Sequence, residues 1–228
     1  EIFYSEVLND ENASSNNLID LSKLPDLPYD TDPLAPKPMP AGRFIIIDPS
    51  GNKQNSDSTA IGYFEVHDAR PVLMALINEK LSPGDTIRKA IQLGLTHNCK
   101  LIAVESVAYQ ATLNYWFQFI CQQQGIYGFE AVEVYPGGYS KTSRILAMLK
   151  SYAAGEIFID PACRPIAHLQ ITQFNPLRTD NTDDVLDLLA YAPKVLELYG
   201  SYIQANDIIM SQEISAIPVL AEGANCCF

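Results

Sequence analysis

The sequence has few charged residues, and it has no long hydrophobic run. Charged side chains make up 18% of the 228 residues and hydrophobic side chains 47%, which predicts a folded globular chain rather than a disordered one. The purely apolar stretches, such as residues 44–47, are only as long as a β-strand, so we expect no membrane-spanning segment. The first residue is Glu1 and no secretion signal is visible, so we expect a piece of a longer chain.

Cysteine and histidine motifs are also missing. The five cysteines include no C-x-x-C pair, and the three histidines do not cluster. This pattern excludes the common zinc sites and a disulfide framework, and it favours free thiols in a reducing cytosol. A G-x-x-x-x-G-K-[ST] loop is missing as well, so we do not expect this chain to hydrolyse ATP.

Basic residues are outnumbered by acidic ones. There are 15 Lys and Arg against 27 Asp and Glu, which gives a formal net charge of -12. Residues 1–40 hold eight of the acidic and two of the basic side chains. Because phosphate contacts normally come from Lys and Arg, this balance predicts weak overall affinity for nucleic acid.

Proline-rich sequence separates an N-terminal segment from the apolar part of the chain. Six prolines lie in residues 24–40, where neither a helix nor a central strand can be sustained. We therefore interpret residues 1–41 as an extended linker on the surface, residues 42–205 as the folded domain and residues 206–228 as a C-terminal tail.

Apolar periodicity predicts an ordered series of strands and helices in the domain. The expected order is strands at 44–48, 59–66 and 72–79, a helix at 83–97, a strand at 101–104, a helix at 110–124, a strand at 131–135, a helix at 141–154, and a strand at 157–159 before further helices. Three strands followed by alternating units predict an α/β fold, with an antiparallel meander, then parallel strands, and helices on both faces of the sheet.

Two carboxylates directly follow buried strands. Asp48 ends the run from residue 44, and Glu105 ends the run from residue 101. Buried acids need a cation or a donor, and neighbouring strands would bring both to one edge of the sheet. The alternative for Asp48 is a cap of the turn that follows it.

A third acidic group opens an apolar helix. Asp183, Asp184 and Asp187 lie at its start, where stabilisation of the helix dipole is the simpler interpretation. Asp184 and Asp187 share a helix face, while Asp183 lies about 100° away from it. Carboxylates without His or Cys partners suit hard cations, so we expect two Mg²⁺ or Mn²⁺ ions rather than zinc.

Four segments carry a family resemblance. They are Asp48-Pro49-Ser50-Gly51 with Asp57 after it, Val104-Glu105-Ser106, the K-x-x-R pair Lys141 and Arg144, and the acidic helix from Asp183. Together they resemble the C-terminal nuclease domain of the large terminase subunit of tailed bacteriophages, which has an RNase H-like (RuvC-like) fold. The resemblance covers most of residues 42–200.

The resemblance implies roles for these residues. Its catalytic residues would be Asp48, Glu105 and Asp184, and its metal ligands these three with Asp183 and Asp57. Asp184 would be the main ligand of the helix, Asp183 its helper, and Asp187 more a structural residue. DNA contacts would come from Lys141, Arg144 and Arg178, in the stretch from residue 137 to 178, where bases outnumber acids.

The resemblance also implies a biological role. Such a domain would cut concatemeric viral double-stranded DNA by two-metal phosphodiester hydrolysis, in the cytoplasm of a bacterial host cell and without a membrane. An N-terminal ATPase domain of the same full-length chain, a small terminase subunit and a portal protein would be its partners.

Three alternatives remain open on the sequence. A Holliday-junction resolvase or a transposase-like nuclease would keep the fold and the acids. A non-catalytic RNase H-like binding module would keep the sheet for docking only. Actin-like ATP-binding folds also open with an Asp and a glycine turn.

Overall fold

The structure is a computed structural model that describes residues 18–29, 37–49, 58–105 and 110–215, without the side chains of residues 110–112, 114 and 205–215. Its strands are β1 (Gly42–Asp48), β2 (Thr59–His67), β3 (Arg70–Glu79), β4 (Leu101–Glu105), β5 (Glu130–Val134) and β6 (Phe158–Ile159). Its helices are α1 (Pro83–Thr96), α2 (Gln110–Gln124), α3 (Lys141–Ala153), α4 (Arg164–Gln173) and α5 (Asp184–Ser215). Every predicted strand and helix is confirmed within a few residues.

The six strands form one mixed sheet in the order β5-β4-β1-β2-β3-β6. β1, β2 and β3 are antiparallel neighbours, while β4 runs parallel to β1 and β5 parallel to β4. The expected meander followed by parallel strands is therefore confirmed. The carboxyl ends of β1, β4 and β5 all lie at the same edge of the sheet.

Strand β1 is buried on both faces because helices cover both sides of the sheet. Phe44 and Ile46 belong to a core formed with α3, α4 and α5, whereas Ile45 and Ile47 belong to a second core formed with α1 and α2. Successive side chains of a strand point to opposite faces, so an uninterrupted apolar run is what this position requires.

Local capping fixes where helix α3 begins. The hydroxyl of Ser140 accepts a hydrogen bond from the backbone N–H of Ser143 at 3.1 Å. Such a side chain satisfies one of the free donors at a helix start. Lys141 and Arg144 therefore lie in the first turn of α3.

Helix α5 packs closely against the sheet at a glycine. A Cβ added at Gly62 in β2 would lie 2.7 Å from Cδ2 of Leu188 and 2.9 Å from Cδ1 of Leu73. Both leucines are fully buried, so neither has free space to move into. Gly62 thus sets the distance between α5 and the sheet.

The two ends of the described chain differ from the sequence interpretation. Leu18, Leu21 and Leu24 pack against the core on the α5 side and Leu27 is buried, so this part of the expected linker is attached to the domain. Its leucines, which recur at every third residue from 18 to 27, bury apolar surface that composition alone did not reveal. Helix α5 continues past residue 205 to Ser215.

No helix within the described residues is long and apolar enough to cross a membrane.

We expect Gly62→Ala to destabilise the domain by about 1–3 kcal/mol, because the new methyl group overpacks the contact between α5 and the sheet. Urea denaturation measures this change. Gly200→Ala is the matched control, since no atom lies within 4 Å of a Cβ at that helical position. It should stabilise α5 by about 0.5–1 kcal/mol. Equal midpoints for Gly62→Ala and the wild type would contradict the close packing.

Candidate metal centre

Asp48 and Glu105 end two neighbouring parallel strands. Ile47 of β1 is paired with Val104 of β4, and each acid is the next residue along its strand. The alternation of the strands places both carboxylates on the face that α5 covers. Asp48 is 8% exposed and the Glu105 side chain 13% exposed.

Helix α5 adds a third carboxylate to this edge. Oxygen atoms of Asp48, Glu105 and Asp187 all lie within 4.8 Å of one another. Asp187 is only 3% exposed, because α5 packs its first two turns onto the strand ends. The arrangement is the sheet-edge cluster predicted from the sequence, with Asp187 as the member from the helix.

Two cations from the first turn of α3 face the cluster. Nη2 of Arg144 lies 2.7 and 3.0 Å from the two oxygens of Asp187 and 3.9 Å from Glu105. Nζ of Lys141 lies 2.7 Å from Asp183 and 3.6 Å from Asp187. The K-x-x-R spacing puts both on one face of α3, and that face is turned towards α5.

Tyr191 holds Glu105 from the next turn of α5. Its hydroxyl donates to Oε1 of Glu105 at 2.5 Å, and the Arg144 guanidinium lies 4.8 Å from the centre of its ring. The ring is buried, so the tyrosine has little freedom to turn away. Tyr191 therefore fixes the orientation of one carboxylate of the cluster.

Burial and mutual repulsion make this cluster costly when ionised. Burial raises the pKa of Asp48 well above its usual range, and the nearby Glu105 and Asp187 raise it further. Burial also raises the pKa of Asp187, although Lys141 and Arg144 oppose the change. Burial alone would lower the pKa of Lys141, but Asp183 and Asp187 raise it overall. Asp48 and Asp187 thus favour a proton or a cation at this position.

The donor set fits a hard divalent cation. All three ligating groups are carboxylates, and hard cations such as Mg²⁺ and Mn²⁺ prefer oxygen donors. Among the described residues two basic side chains, Lys141 and Arg144, form ion pairs with this group of three acids, and Lys141 also contacts Asp183. A divalent ion held by Asp48, Glu105 and Asp187 would replace the missing positive charge.

The same topology occurs in solved structures of viral terminases. The nuclease domain of the bacteriophage P22 large terminase matches with a TM-score of 0.54 and 14% identity, over 78% of this chain and 90% of that one. The large terminase of a thermophilic bacteriophage matches with a TM-score of 0.55 and 11% identity, over 79% of this chain and 45% of that one. The chain has the RNase H-like fold.

A third solved structure extends this comparison. The terminase nuclease domain of human cytomegalovirus matches with a TM-score of 0.49 and 16% identity, over 68% of this chain and 83% of that one. No protein-family model and no curated protein matches the chain. The RNase H-like chain spans less than half the length of the thermophilic phage terminase. The resemblance to terminase nuclease domains is confirmed at the level of structure.

The acid of α5 that lies with Asp48 and Glu105 differs from the one expected as the main ligand. We expected Asp184 as the main ligand and Asp187 as a structural residue, yet Asp187 joins Asp48 and Glu105 and Asp184 is outside that group. The two share a helix face, but Asp187 lies about 4.5 Å further along the axis. Periodicity gives the face of a helix, whereas the height at which strand ends meet it depends on tertiary packing.

The other predicted site residues have separate outcomes. Asp183 contacts Lys141 beside the cluster, and both Lys141, whose side chain is 44% exposed, and Arg144 pair with acids. Arg178 is exposed and pairs with Asp180 at 2.7 Å. Asp57 lies outside the described residues.

Histidine and cysteine take no part in the described cluster. The three histidines contact aromatic or acidic side chains elsewhere: His67 contacts Glu65, His97 stacks on Tyr63, and His168 bonds Tyr152. Cys99, Cys121 and Cys163 are not joined in disulfides.

Tyr191 is the site residue that sequence reasoning missed. It lies four residues after Asp187, which is one helical turn, so its position on the same face was available in the sequence. An aromatic residue in an apolar helix is usually part of the core. For that reason no hydrogen bond from the Tyr191 hydroxyl was predicted. The contact with Glu105 is visible only after the strands and α5 are assembled.

We expect Asp48→Asn to stabilise the metal-free domain at pH 7. The unfolded chain loses the Asp48 proton near the ordinary pKa, about 3.9, whereas burial keeps the proton bound to a higher pH in the folded chain. Stability therefore falls as the pH rises through that interval, and asparagine avoids this loss.

Urea denaturation in EDTA at pH 7 and pH 4 measures the difference. The advantage of Asp48→Asn should shrink at pH 4, where the wild-type acid keeps its proton in the folded chain and about half of it is protonated in the unfolded chain. Asp180→Asn is the control, because Arg178 lowers the pKa of that exposed acid and no gain is expected. A variant that is no more stable than the wild type at pH 7 would contradict the charge repulsion.

Proposed function

We propose that this chain is a metal-dependent DNA endonuclease. The observation that carries the proposal is the group of three carboxylates, Asp48, Glu105 and Asp187, within 4.8 Å of one another at the edge of an RNase H-like sheet. Structural likeness to terminase nuclease domains supports it. No nucleophilic Ser, His or Cys is needed for such a reaction, because water can attack the phosphodiester.

Different residues of the chain would bind the metal ions and orient the ligands. Asp48, Glu105 and Asp187 would hold Mg²⁺ or Mn²⁺, and Asp183 and Asp184 lie one turn away as candidate ligands for a second ion. Bound divalent ions would lower the pKa of water and stabilise the leaving oxygen of the phosphodiester. Tyr191 keeps Glu105 oriented by its hydrogen bond.

Arg144 and Lys141 supply positive charge beside the acids. Arg144 contacts Asp187 and approaches Glu105, while Lys141 contacts Asp183. The Lys141 side chain is 44% exposed, so its ammonium can reach a phosphate at the rim of the site. We propose both as DNA-positioning residues, together with the exposed Arg178.

We propose that the full protein is a terminase large subunit that cuts concatemeric viral DNA during packaging. Double-stranded DNA, an N-terminal ATPase domain, a small subunit and a portal protein would be its partners in the host cytoplasm. The net charge of -12 fits a nuclease domain that depends on an attached motor to keep DNA near its site.

We expect Asp48→Ala to lower the nicking of supercoiled plasmid in Mg²⁺ or Mn²⁺ at least about a hundredfold, because metal ions supply several kcal/mol of transition-state stabilisation. Gel electrophoresis measures the nicked fraction, and urea denaturation checks that the variant is folded. Asp68→Asn changes an exposed acid at the edge of the sheet opposite Asp48 and should nick like the wild type. Retained cleavage by Asp48→Ala would overturn the proposal.

Substitution of Asp187 tests its proposed role as the third metal ligand. Asp187→Asn should weaken Mn²⁺ binding at least about tenfold in calorimetry, whereas Asp184→Asn should have the smaller effect, because only Asp187 lies with Asp48 and Glu105. Glu105→Gln serves as a second ligand variant in case loss of the Arg144 contact unfolds Asp187→Asn. A larger effect of Asp184→Asn would restore the order expected from the sequence.

A further inference from the structure

A cavity of about 700 Å³ lies between helices α3 and α5, next to the carboxylate cluster. Its lining includes Tyr135, Tyr139, Arg144, Ala147, Tyr191 and Lys194. We call it the tyrosine cavity. Its volume is within the range of roughly 300–1,000 Å³ that small-molecule sites occupy.

The tyrosine cavity adjoins the metal centre, because two side chains belong to both. Arg144 contacts Asp187 on one side and lines the cavity on the other. Tyr191 donates to Glu105 and also lines the cavity. A strand held by the carboxylates would therefore lie close to the cavity.

Two tyrosine rings at the cavity are exposed, although apolar ring surface left in water does not contribute the free energy of burial. Tyr135 is 57% exposed and Tyr139 73% exposed. They flank a turn in which Gly137 and Gly138 have φ angles of +68° and +80°, a conformation that glycine adopts without strain. The turn follows β5, so it projects the rings at the same edge of the sheet as Glu105.

The remaining lining provides an apolar wall with a few polar groups. Ala147 and Met148 of α3 face Ala190 and Pro193 of α5 across the cavity. Arg144 brings a donor, and within the described part of the chain its buried Nε has no hydrogen-bond partner. Lys194 lies at the cavity with its side chain 38% exposed. Flat apolar walls with adjacent cations match a planar heterocycle that is attached to a phosphate.

We infer that the tyrosine cavity takes up one unpaired nucleobase of the DNA strand that enters the metal centre. The inference rests on the proposed nuclease function and names the substrate conformation, a strand with one base out of the duplex stack. Bases stack on aromatic side chains without sequence preference, and each such contact is worth about 1–3 kcal/mol. A stacked duplex base cannot enter, so the cavity selects distorted or unwound DNA.

Two variants test the cavity in metal-free buffer. Tyr139→Ala removes a stacking ring, and Ala147→Trp fills the space from an exposed position of α3. Fluorescence anisotropy at low salt measures the binding of a labelled single-stranded dT12 oligonucleotide and of a twelve-base-pair duplex. Each variant should weaken single-strand binding at least about fivefold, with less than a twofold change for the duplex.

Tyr127→Ala is the matched control, because Tyr127 is 84% exposed and does not line the cavity. It should bind both probes like the wild type. Unchanged single-strand binding by both cavity variants would overturn the inference, and so would equal losses for single strand and duplex, which would indicate a contact with the backbone only.

The test separates this inference from the proposed function. If Asp48→Ala loses nicking while the cavity variants bind dT12 like the wild type, the nuclease proposal is supported and the inferred base site is wrong. If Asp48→Ala keeps nicking, the nuclease proposal falls whatever the binding results. Plasmid carrying a single-stranded bubble should be nicked faster than fully paired plasmid by the wild type, and Ala147→Trp should lose that preference.

Discussion

Mutual repulsion among three buried carboxylates is the constraint on which the arrangement of this RNase H-like domain depends. Asp48, Glu105 and Asp187 are brought within 4.8 Å of one another, and burial together with neighbouring charge raises the pKa of Asp48. Like charges in a poorly solvated place cost free energy unless a cation or protons offset them. The hydrophobic packing of β1 and of α5 has to supply the free energy that keeps them together.

Two parts of the fold hold the acids in place despite this repulsion. The close approach of α5 to the sheet at Gly62 fixes the position of Asp187, and the Ser140 cap fixes the first turn of α3, from which Arg144 and Lys141 reach the acids. Their positive charges leave the cluster partly compensated in the absence of metal. A cluster whose negative charge is only partly offset by Arg144 and Lys141 suits the binding of a divalent ion.

The same two helices connect metal binding to strand recognition. Arg144 and Tyr191 each contact an acid of the cluster and line the tyrosine cavity. In the function that we propose, a strand held at the metal centre would lie beside these aromatic rings. Recognition by distortion and proximity would suit the net charge of -12 better than recognition by overall charge.

The sequence by itself determined the order of strands and helices, the mixed sheet, and Asp48 and Glu105 as strand-end acids, because these follow from local apolar periodicity. It could not rank Asp184 against Asp187, since both share a helix face and differ only in height along the axis. It also concealed the Tyr191 contact and the packing of Leu18, Leu21 and Leu24. Only the tertiary structure decided these, because the height of α5 against the strand ends is set by side-chain packing between distant parts of the chain.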